Sequence, residues 1–161
     1  MPETRVGIGQ DAHRFAEGRR LVLGGVVLPH PLGLAGHSDA DVLTHALIDA
    51  ILGGLRAGDI GQHFPDTDPE YAGISSIELL RRVAVLMRED GWRLADADCV
   101  LLLESPRISP IRDEMRSVLA GALGVSADHV GVKATTTEGM GFTGRGEGIA
   151  ATAIVLLERD V

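Results

Sequence analysis

Ser38-Asp39-Ala40-Asp41-Val42-Leu43-Thr44-His45-Ala46-Leu47-Ile48-Asp49 is the stretch around which this chain organises itself. Ser38 reads as the start of a helix, with Asp41 three residues on in a capping-box-like arrangement. Val42, Leu43, Ala46, Leu47, Ile48, Ala50, Ile51 and Leu52 fill the other faces, so the helix is heavily buried. Residues four apart share a helical face, which lines up Asp41, His45 and Asp49 as one polar stripe. A polar stripe on a buried helix must find partners inside the protein. Gly53-Gly54 weakens or ends the helix.

A partner of matching chemistry lies upstream. Asp11-Ala12-His13 sits in an extended segment, where alternation points Asp11 and His13 the same way. If the helix packs on that strand, Asp11, His13 and His45 converge. Two imidazoles and one carboxylate leave one position open, the pattern of catalytic zinc. An open position on zinc is where a substrate oxygen is polarised. The competing reading is that a D-x-H triplet, a weak signal by itself, is surface chemistry of no consequence.

Outward from these two segments, the period of the apolar residues supplies the remaining elements. Arg5 to Gln10 reads as a strand, and Leu21-Val22-Leu23-Gly24-Gly25-Val26-Val27-Leu28 as a hairpin about Gly-Gly. Pro29 to Gly33 is loop, and Gly58 to Asp68 is dense in turn residues with no sustained period. Ser75 or Ser76 caps a second helix through about Asp90, and Pro110 to Leu123 is a third. Trp92 to Glu104, Val130 to Thr136 and Ile149 to Glu158 read as strands. Helices and strands alternate without a run of regular βαβ units. That favours an α+β fold, with helices packed on one face of a mixed β-sheet and the hairpin as an arm. Residues 1–161 form a single domain with no linker or repeat. Something must cover the other sheet face, and self-association is an economical answer that patterning leaves open.

Composition excludes several functions. Aromatics make up 3% and the formal net charge is -8, which argues against nucleic acid as partner. Cys99 is the only cysteine, so neither an internal disulfide nor a cysteine zinc cage is available. The apolar run Ile149 to Leu157 is too short to span a bilayer and no signal-peptide pattern opens the chain, so a cytoplasmic protein with no membrane partner is expected.

Two segments are suited to phosphate. His37-Ser38-Asp39 lies at a helix start, where free N–H groups and the dipole favour anions; against this, Ser38 serves equally as a simple cap. Lys133 to Gly148 combines the run Thr135-Thr136-Thr137 with Glu138, Arg145 and several glycines that allow close backbone approach. It is neither a Walker loop nor a dinucleotide fingerprint, and a plain glycine-rich turn competes with the anion reading. Glu138 would be a hard-oxygen ligand for Mg²⁺ or Mn²⁺ if phosphates were present. Asp59, Asp66 and Asp68 could accept hydrogen bonds from substrate hydroxyls, or be no more than a solvated turn.

Asp11-Ala12-His13, Gly36 to Asp41 with His45, Gly58-Asp59-Ile60-Gly61, Phe64-Pro65-Asp66-Thr67-Asp68 and Lys133 to Gly148 occur in this order. That set resembles the 2-C-methyl-D-erythritol 2,4-cyclodiphosphate synthase family, from Val6 to Leu157. The resemblance implies closure of 4-diphosphocytidyl-2-C-methyl-D-erythritol 2-phosphate to a cyclic diphosphate with loss of CMP. It also implies a homotrimer with active sites between neighbouring subunits. Matched position by position, Asp11, His13 and His45 would be the zinc ligands and Glu138 the ligand of a second divalent ion, all four serving catalysis. Substrate contacts are implied at His37 and Ser38 for the diphosphate, and at Asp49, Asp59, Gly61 and Asp66 around the erythritol. Ala134, Thr135, Thr136, Thr137, Phe142 and Arg145 complete the implied contacts, with Leu103 to Ile108 lining a cytidine pocket. Arg145 and Glu147 would lie near the trimer axis, where an isoprenoid phosphate in the axial cavity is compatible with catalysis. A zinc hydrolase and a trimeric binding module are the two competing readings.

Overall fold

The computed structural model describes residues 1–161. Strand β1 runs from Glu3 to Ala16, well beyond the Arg5–Gln10 core expected from alternation, and so includes Asp11 and His13. From Glu3 to Arg14 it pairs antiparallel with the last strand, β7 (Gly148–Arg159), with Asp11 opposite Ala151 and His13 opposite Ile149. Strand β5 (Arg93–Leu102) flanks β7 antiparallel, and β6 (Val130–Thr135) joins β5 in parallel. The two-residue strand β4 (Gly33–Leu34) closes the other edge, which makes a mixed sheet of order β4-β1-β7-β5-β6. The parallel pair needs a crossover, supplied by helix α4 (Arg112–Leu123) as a single βαβ unit.

Helix α1 (Val42–Leu55) lies on β1 and β7, with every residue except Asp49 and Gly53 buried. Helices α3 (Ser76–Glu89) and α4 pack beside it on the same face. Gly53-Gly54 does not stop α1; the helix ends one residue later, on Arg56 in the left-handed region (φ 60°). It also starts later than expected. Asp41, not Ser38, is the N-cap, and its carboxylate accepts from Thr44 N at 3.1 Å.

The hairpin forms as read, with β2 (Leu21–Leu23) antiparallel to β3 (Val26–Leu28). It is not a free arm. Leu21, Leu23, Val26 and Leu28 are all buried in the common core, because a two-stranded ribbon alone cannot bury an apolar face. Within Gly58–Asp68 a short helix, α2 (Ile60–His63), forms on the N-cap Asp59, and a 3₁₀ turn follows at Pro69–Tyr71. The glycine-rich stretch holds one further turn of helix, α5 (Gly141–Gly144), before β7 begins.

The opposite sheet face carries no helix. Val6, Ile8, Ile154 and Leu156 project from it and are exposed, between 37% and 65%.

Candidate metal centre and substrate cavity

The pleat of β1 places Gly7, Gly9, Asp11 and His13 on one side, towards α1. A Cβ at Gly7 would lie 1.8 Å from the Ala50 carbonyl oxygen, and one at Gly9 2.0 Å from that of Ala46. Only glycine lets the helix backbone rest on the strand here. Two residues further on, side chains resume as Asp11 and His13, and the first turn of α1 delivers His45 to them. His13 Nε2 is 2.8 Å from Asp11 Oδ2, and His45 Nδ1 is 3.1 Å from the same oxygen. The two ring nitrogens are 3.2 Å apart. The expected convergence of Asp11, His13 and His45 is therefore present within one chain.

His13 Nδ1 lies 2.7 Å from the Ala35 carbonyl, which can only accept, so Nδ1 carries hydrogen and Nε2 is the nitrogen that faces Asp11 and His45. His45 Nε2 points away from the triad, to the Ser76 and Ser38 hydroxyls at 2.8 and 3.1 Å. Burial works to raise the Asp11 carboxyl, but hydrogen bonds and charge from His13 and His45 outweigh it and hold the group well below the carboxylate range. Burial works to lower His13, yet the Asp11 hydrogen bond and charge leave it above its ordinary value. Once the ring hydrogens facing Asp11 are given up, one carboxylate oxygen and two imidazole nitrogens converge here, and the donor set fits a divalent metal.

The stripe Asp41–His45–Asp49 divides three ways. Asp41 is fully buried and accepts from Gly24 N at 2.9 Å, Gly25 N at 2.7 Å and the Thr44 hydroxyl at 2.7 Å. It therefore fastens the hairpin and takes no part in the metal centre, since an N-cap side chain folds back on its own helix end. Asp49 accepts from Ile60 N at 2.8 Å and so anchors α2. Burial pushes its carboxyl above the ordinary value, with Asp11 and Asp59 adding to the rise.

The metal residues sit in a cavity of about 380 Å³. His37, Ser38, Gly61 and Asp66 line it, and Gly36, Ile60, Phe64, Pro65, Tyr71 and Leu79 join them. The apolar members carry no motif signal; they arrive because Gly58–Tyr71 wraps over the cavity, a consequence of tertiary folding. His37 Nε2 donates to the Asp68 carbonyl at 2.8 Å, which ties that loop to the α1 approach. Ser38 is not at the helix end, because α1 begins beyond it; its hydroxyl accepts from Ala40 N at 3.2 Å. Asp59 is exposed and caps α2 through Gln62 N at 3.0 Å, outside the cavity lining.

The glycine-rich segment contributes no lining residue to this cavity in the same chain, although its far end returns to β1, where Phe142 and Glu147 share a separate cavity with Ala12, His13 and Arg14. Thr135 ends β6, three strand spacings from β1, roughly 14 Å. Ala134 is half-buried, while Thr135, Thr136, Glu138, Phe142 and Arg145 are exposed. Glu138 adopts a left-handed backbone (φ 55°). Thr137 is committed internally, to the Met140 carbonyl at 2.6 Å and Thr143 at 2.9 Å. Arg145 pairs with Glu147 at 3.1 Å. Glu104, which no spacing singles out, accepts from Thr137 N and Gly139 N at 3.3 and 3.4 Å and holds the turn bearing Glu138. Leu103 and Ile108 bound the same corner from the core side, both buried.

The YgbB family model matches residues 4–158. A 2-C-methyl-D-erythritol 2,4-cyclodiphosphate synthase of Geobacillus kaustophilus is 55% identical over 156 residues, covering 97% of this chain and 99% of that protein. Among solved structures, the bifunctional IspDF of Campylobacter jejuni superposes with a TM-score of 0.95 at 41% identity; 99% of this chain spans 43% of that one. The IspF of Plasmodium falciparum, in complex with CDP, superposes with a TM-score of 0.85 at 29% identity, over 98% and 97% of the two chains.

Proposed function

This chain belongs to the YgbB family, whose full-length relatives are 2-C-methyl-D-erythritol 2,4-cyclodiphosphate synthases, and from that premise we propose how its residues carry the reaction. The reaction closes 4-diphosphocytidyl-2-C-methyl-D-erythritol 2-phosphate to 2-C-methyl-D-erythritol 2,4-cyclodiphosphate and releases CMP, a lyase step of non-mevalonate isoprenoid synthesis. A 2-phosphate oxygen forms a bond to the β-phosphorus of the same molecule as the bond to CMP breaks. The attacking phosphate is already anionic near pH 7, and CMP leaves as a stabilised anion. Neither end needs a strong general base or acid, in keeping with a cavity that has no activated serine or cysteine.

The work left to the protein is charge and alignment. Asp11, His13 and His45 would hold zinc, which when bound supplies positive charge to a β-phosphate oxygen. Glu138 would hold Mg²⁺ or Mn²⁺, ions that bind one or two carboxylates together with phosphate oxygens. The Ser38 hydroxyl oxygen accepts from Ala40 N–H, so its own hydrogen is free for a phosphate oxygen. His37 stands beside it on the cavity wall. Asp59, Gly61 and Asp66 would meet the erythritol, with Asp49 holding their loop through Ile60. Ala134, Thr135 and Thr136 with Leu103 to Ile108 would receive the cytidine, and Thr137 and Phe142 would shape that corner. Holding attacking and leaving groups of one molecule in register is worth on the order of 7–11 kcal/mol.

A homotrimer joins the two corners across a subunit boundary. Two observations support it: the strand spacing between them, and the exposed apolar face of Val6, Ile8, Ile154 and Leu156. Arg145 would then face the axis, where an isoprenoid phosphate must displace Glu147 to pair with it. No helix is long and apolar enough to cross a membrane, which suits a cytoplasmic enzyme acting on a nucleotide diphosphate.

The convergence of Asp11, His13 and His45 on the floor of the cavity carries this assignment. ³¹P NMR of the protein with substrate, zinc and Mg²⁺ tests it. Coupled cyclic-diphosphate signals with CMP are expected. CMP with an open-chain phosphate would make the protein a hydrolase, and an unchanged spectrum from metal-loaded protein would make it a binding module.

A further inference from the structure

We propose that Asp39 and Ser76 are positioning residues that dictate which nitrogen of His45 faces the metal centre. The proposal rests on the reading of Asp11, His13 and His45 as metal ligands. Ser76 is completely buried at the start of α3, outside the cavity lining. Its hydroxyl lies between two groups, hydrogen-bonded to the Asp39 carboxylate on one side and 2.8 Å from His45 Nε2 on the other.

For a neutral His45 ring, the form that can bind a metal, the neighbouring groups fix where its one hydrogen sits. Asp39 receives three donors: the Ser76 hydroxyl, Ser76 N at 3.1 Å and Asp41 N at 3.1 Å. It therefore acts as an acceptor. Ser76 has a single hydroxyl hydrogen, and the carboxylate takes it. Towards His45 the Ser76 oxygen can then only accept, so Nε2 carries the ring hydrogen. Nδ1 is left with its lone pair, 3.1 Å from Asp11 Oδ2 and 3.2 Å from His13 Nε2. The Ala35 carbonyl sets the tautomer of His13 from the backbone in the same sense. Metal-bound histidines generally use such an outer partner to fix tautomer and ring orientation, and its loss typically costs about 10–100-fold in metal affinity.

Ser38 is the other hydroxyl near His45 Nε2, but it has a different duty. It lines the cavity and already accepts Ala40 N–H, which leaves it to the substrate. A second, purely structural role for Asp39 is also visible. Ser75, the N-cap of α3, makes no side-chain cap bond, and Asp39 supplies one from across the loop. The test must separate these roles.

Zinc affinity of the full chain, measured by chelator competition, is compared for wild type, His45→Ala, Ser76→Ala and Asp39→Asn. Long-range ¹H–¹⁵N spectra of the metal-free proteins read the His45 tautomer directly, which a helix-capping role alone would not move. The wild type is expected to show hydrogen on Nε2. Ser76→Ala is expected to populate the other tautomer and to lose about 10–100-fold in zinc affinity, with Ser76→Thr restoring both. Asp39→Asn tests the same relay if Ser76→Ala fails to fold. Wild-type affinity and an unchanged tautomer in Ser76→Ala and Asp39→Asn would overturn the relay while leaving the metal centre standing. Equal zinc binding by wild type and His45→Ala would overturn the metal centre itself, and the relay with it.

Discussion

The corner built by Asp11, His13 and His45 and the corner built by Thr135 to Gly148 stand at the same end of the sheet, yet one is finished within a single chain and the other is not. At the first, every ring nitrogen and carboxylate oxygen that matters lies within 3.2 Å of a partner, and His45 is 8% exposed. At the second, Met140 is 68% and Phe142 41% exposed, and Arg145 turns to its own neighbour Glu147. The difference follows from the support beneath each. The first rests on α1 packed against two glycines of β1, with the loop Gly58–Tyr71 wrapped over it. The second hangs from the ends of β6 and β7 with only the single turn of α5 to brace it. A rigid electrostatic template and an open platform are what would be expected if one chain supplies the metal ligands and its neighbour the nucleotide platform.

His45→Ala attacks the finished corner and should have the largest effect. Turnover is expected to fall by at least about 10²–10³-fold, the scale of losing one preorganised electrostatic group. CMP affinity, measured calorimetrically, should stay near the wild-type value because the platform is untouched. Retained turnover in zinc-free His45→Ala would show that the two corners are not divided in this way.

Gly9→Ala probes the support and not the ligands. Its Cβ would fall 2.0 Å from the Ala46 carbonyl, so α1 must lift. A stability loss of about 1–3 kcal/mol in denaturant melts is expected, together with weakened zinc binding, although no ligand is altered. Loss of stability with unchanged zinc affinity would show that His45 is held by other means.

Acidity acts on the comparison through Asp11 and His13 in the first corner. In metal-free protein the lowered Asp11 carboxyl contributes stability above its unfolded value of 3.8, lost as pH falls through its folded value. The raised His13 contributes stability below 6.5, lost as pH rises through its folded value. Metal needs neutral His13, so its stabilisation should grow over that same rise. The gap in Tm between metal-loaded and chelator-stripped protein should widen from about pH 5 to about pH 8. A gap that narrows would contradict this proton placement.

Ile8→Asp on the open sheet face should change the melt of the isolated chain least, within about 0.5 kcal/mol, because Ile8 is 65% exposed. It should nevertheless dissociate the proposed homotrimer in sedimentation runs and remove turnover with it. An intact oligomer would place the interface elsewhere.

Much of the first corner was legible in the residues themselves. Period-two alternation aligned Asp11 with His13, and the apolar surround of His45 marked a buried helix whose polar side chain needed a partner. What local pattern misplaced were the ends and the outer contacts. Ser38 looked like the helix cap, whereas Asp41 holds that position because its carboxylate gathers Gly24, Gly25 and Thr44. Gly53-Gly54 looked like a weak point or an end, and α1 runs one residue past it, with Gly54 packed closely against Gly7. The hairpin looked like an arm, and burial of its leucines folded it into the core.

The sequence by itself determined the long helices and strands, the pairing of Asp11 and His13 with His45 and, through five ordered motifs, the family. These depend on side-chain chemistry and on periods of two and 3.6, which are local. Only the tertiary structure decided that Asp49 anchors α2 and that Phe64, Tyr71 and Leu79 wall the cavity. It alone set Glu104 beneath the Glu138 turn and joined Ser76 to His45 across 31 positions of chain. Such contacts exist because a long buried helix and a wrapped loop leave polar groups that must be satisfied by whatever the fold brings near. No spacing along the chain encodes which groups those will be.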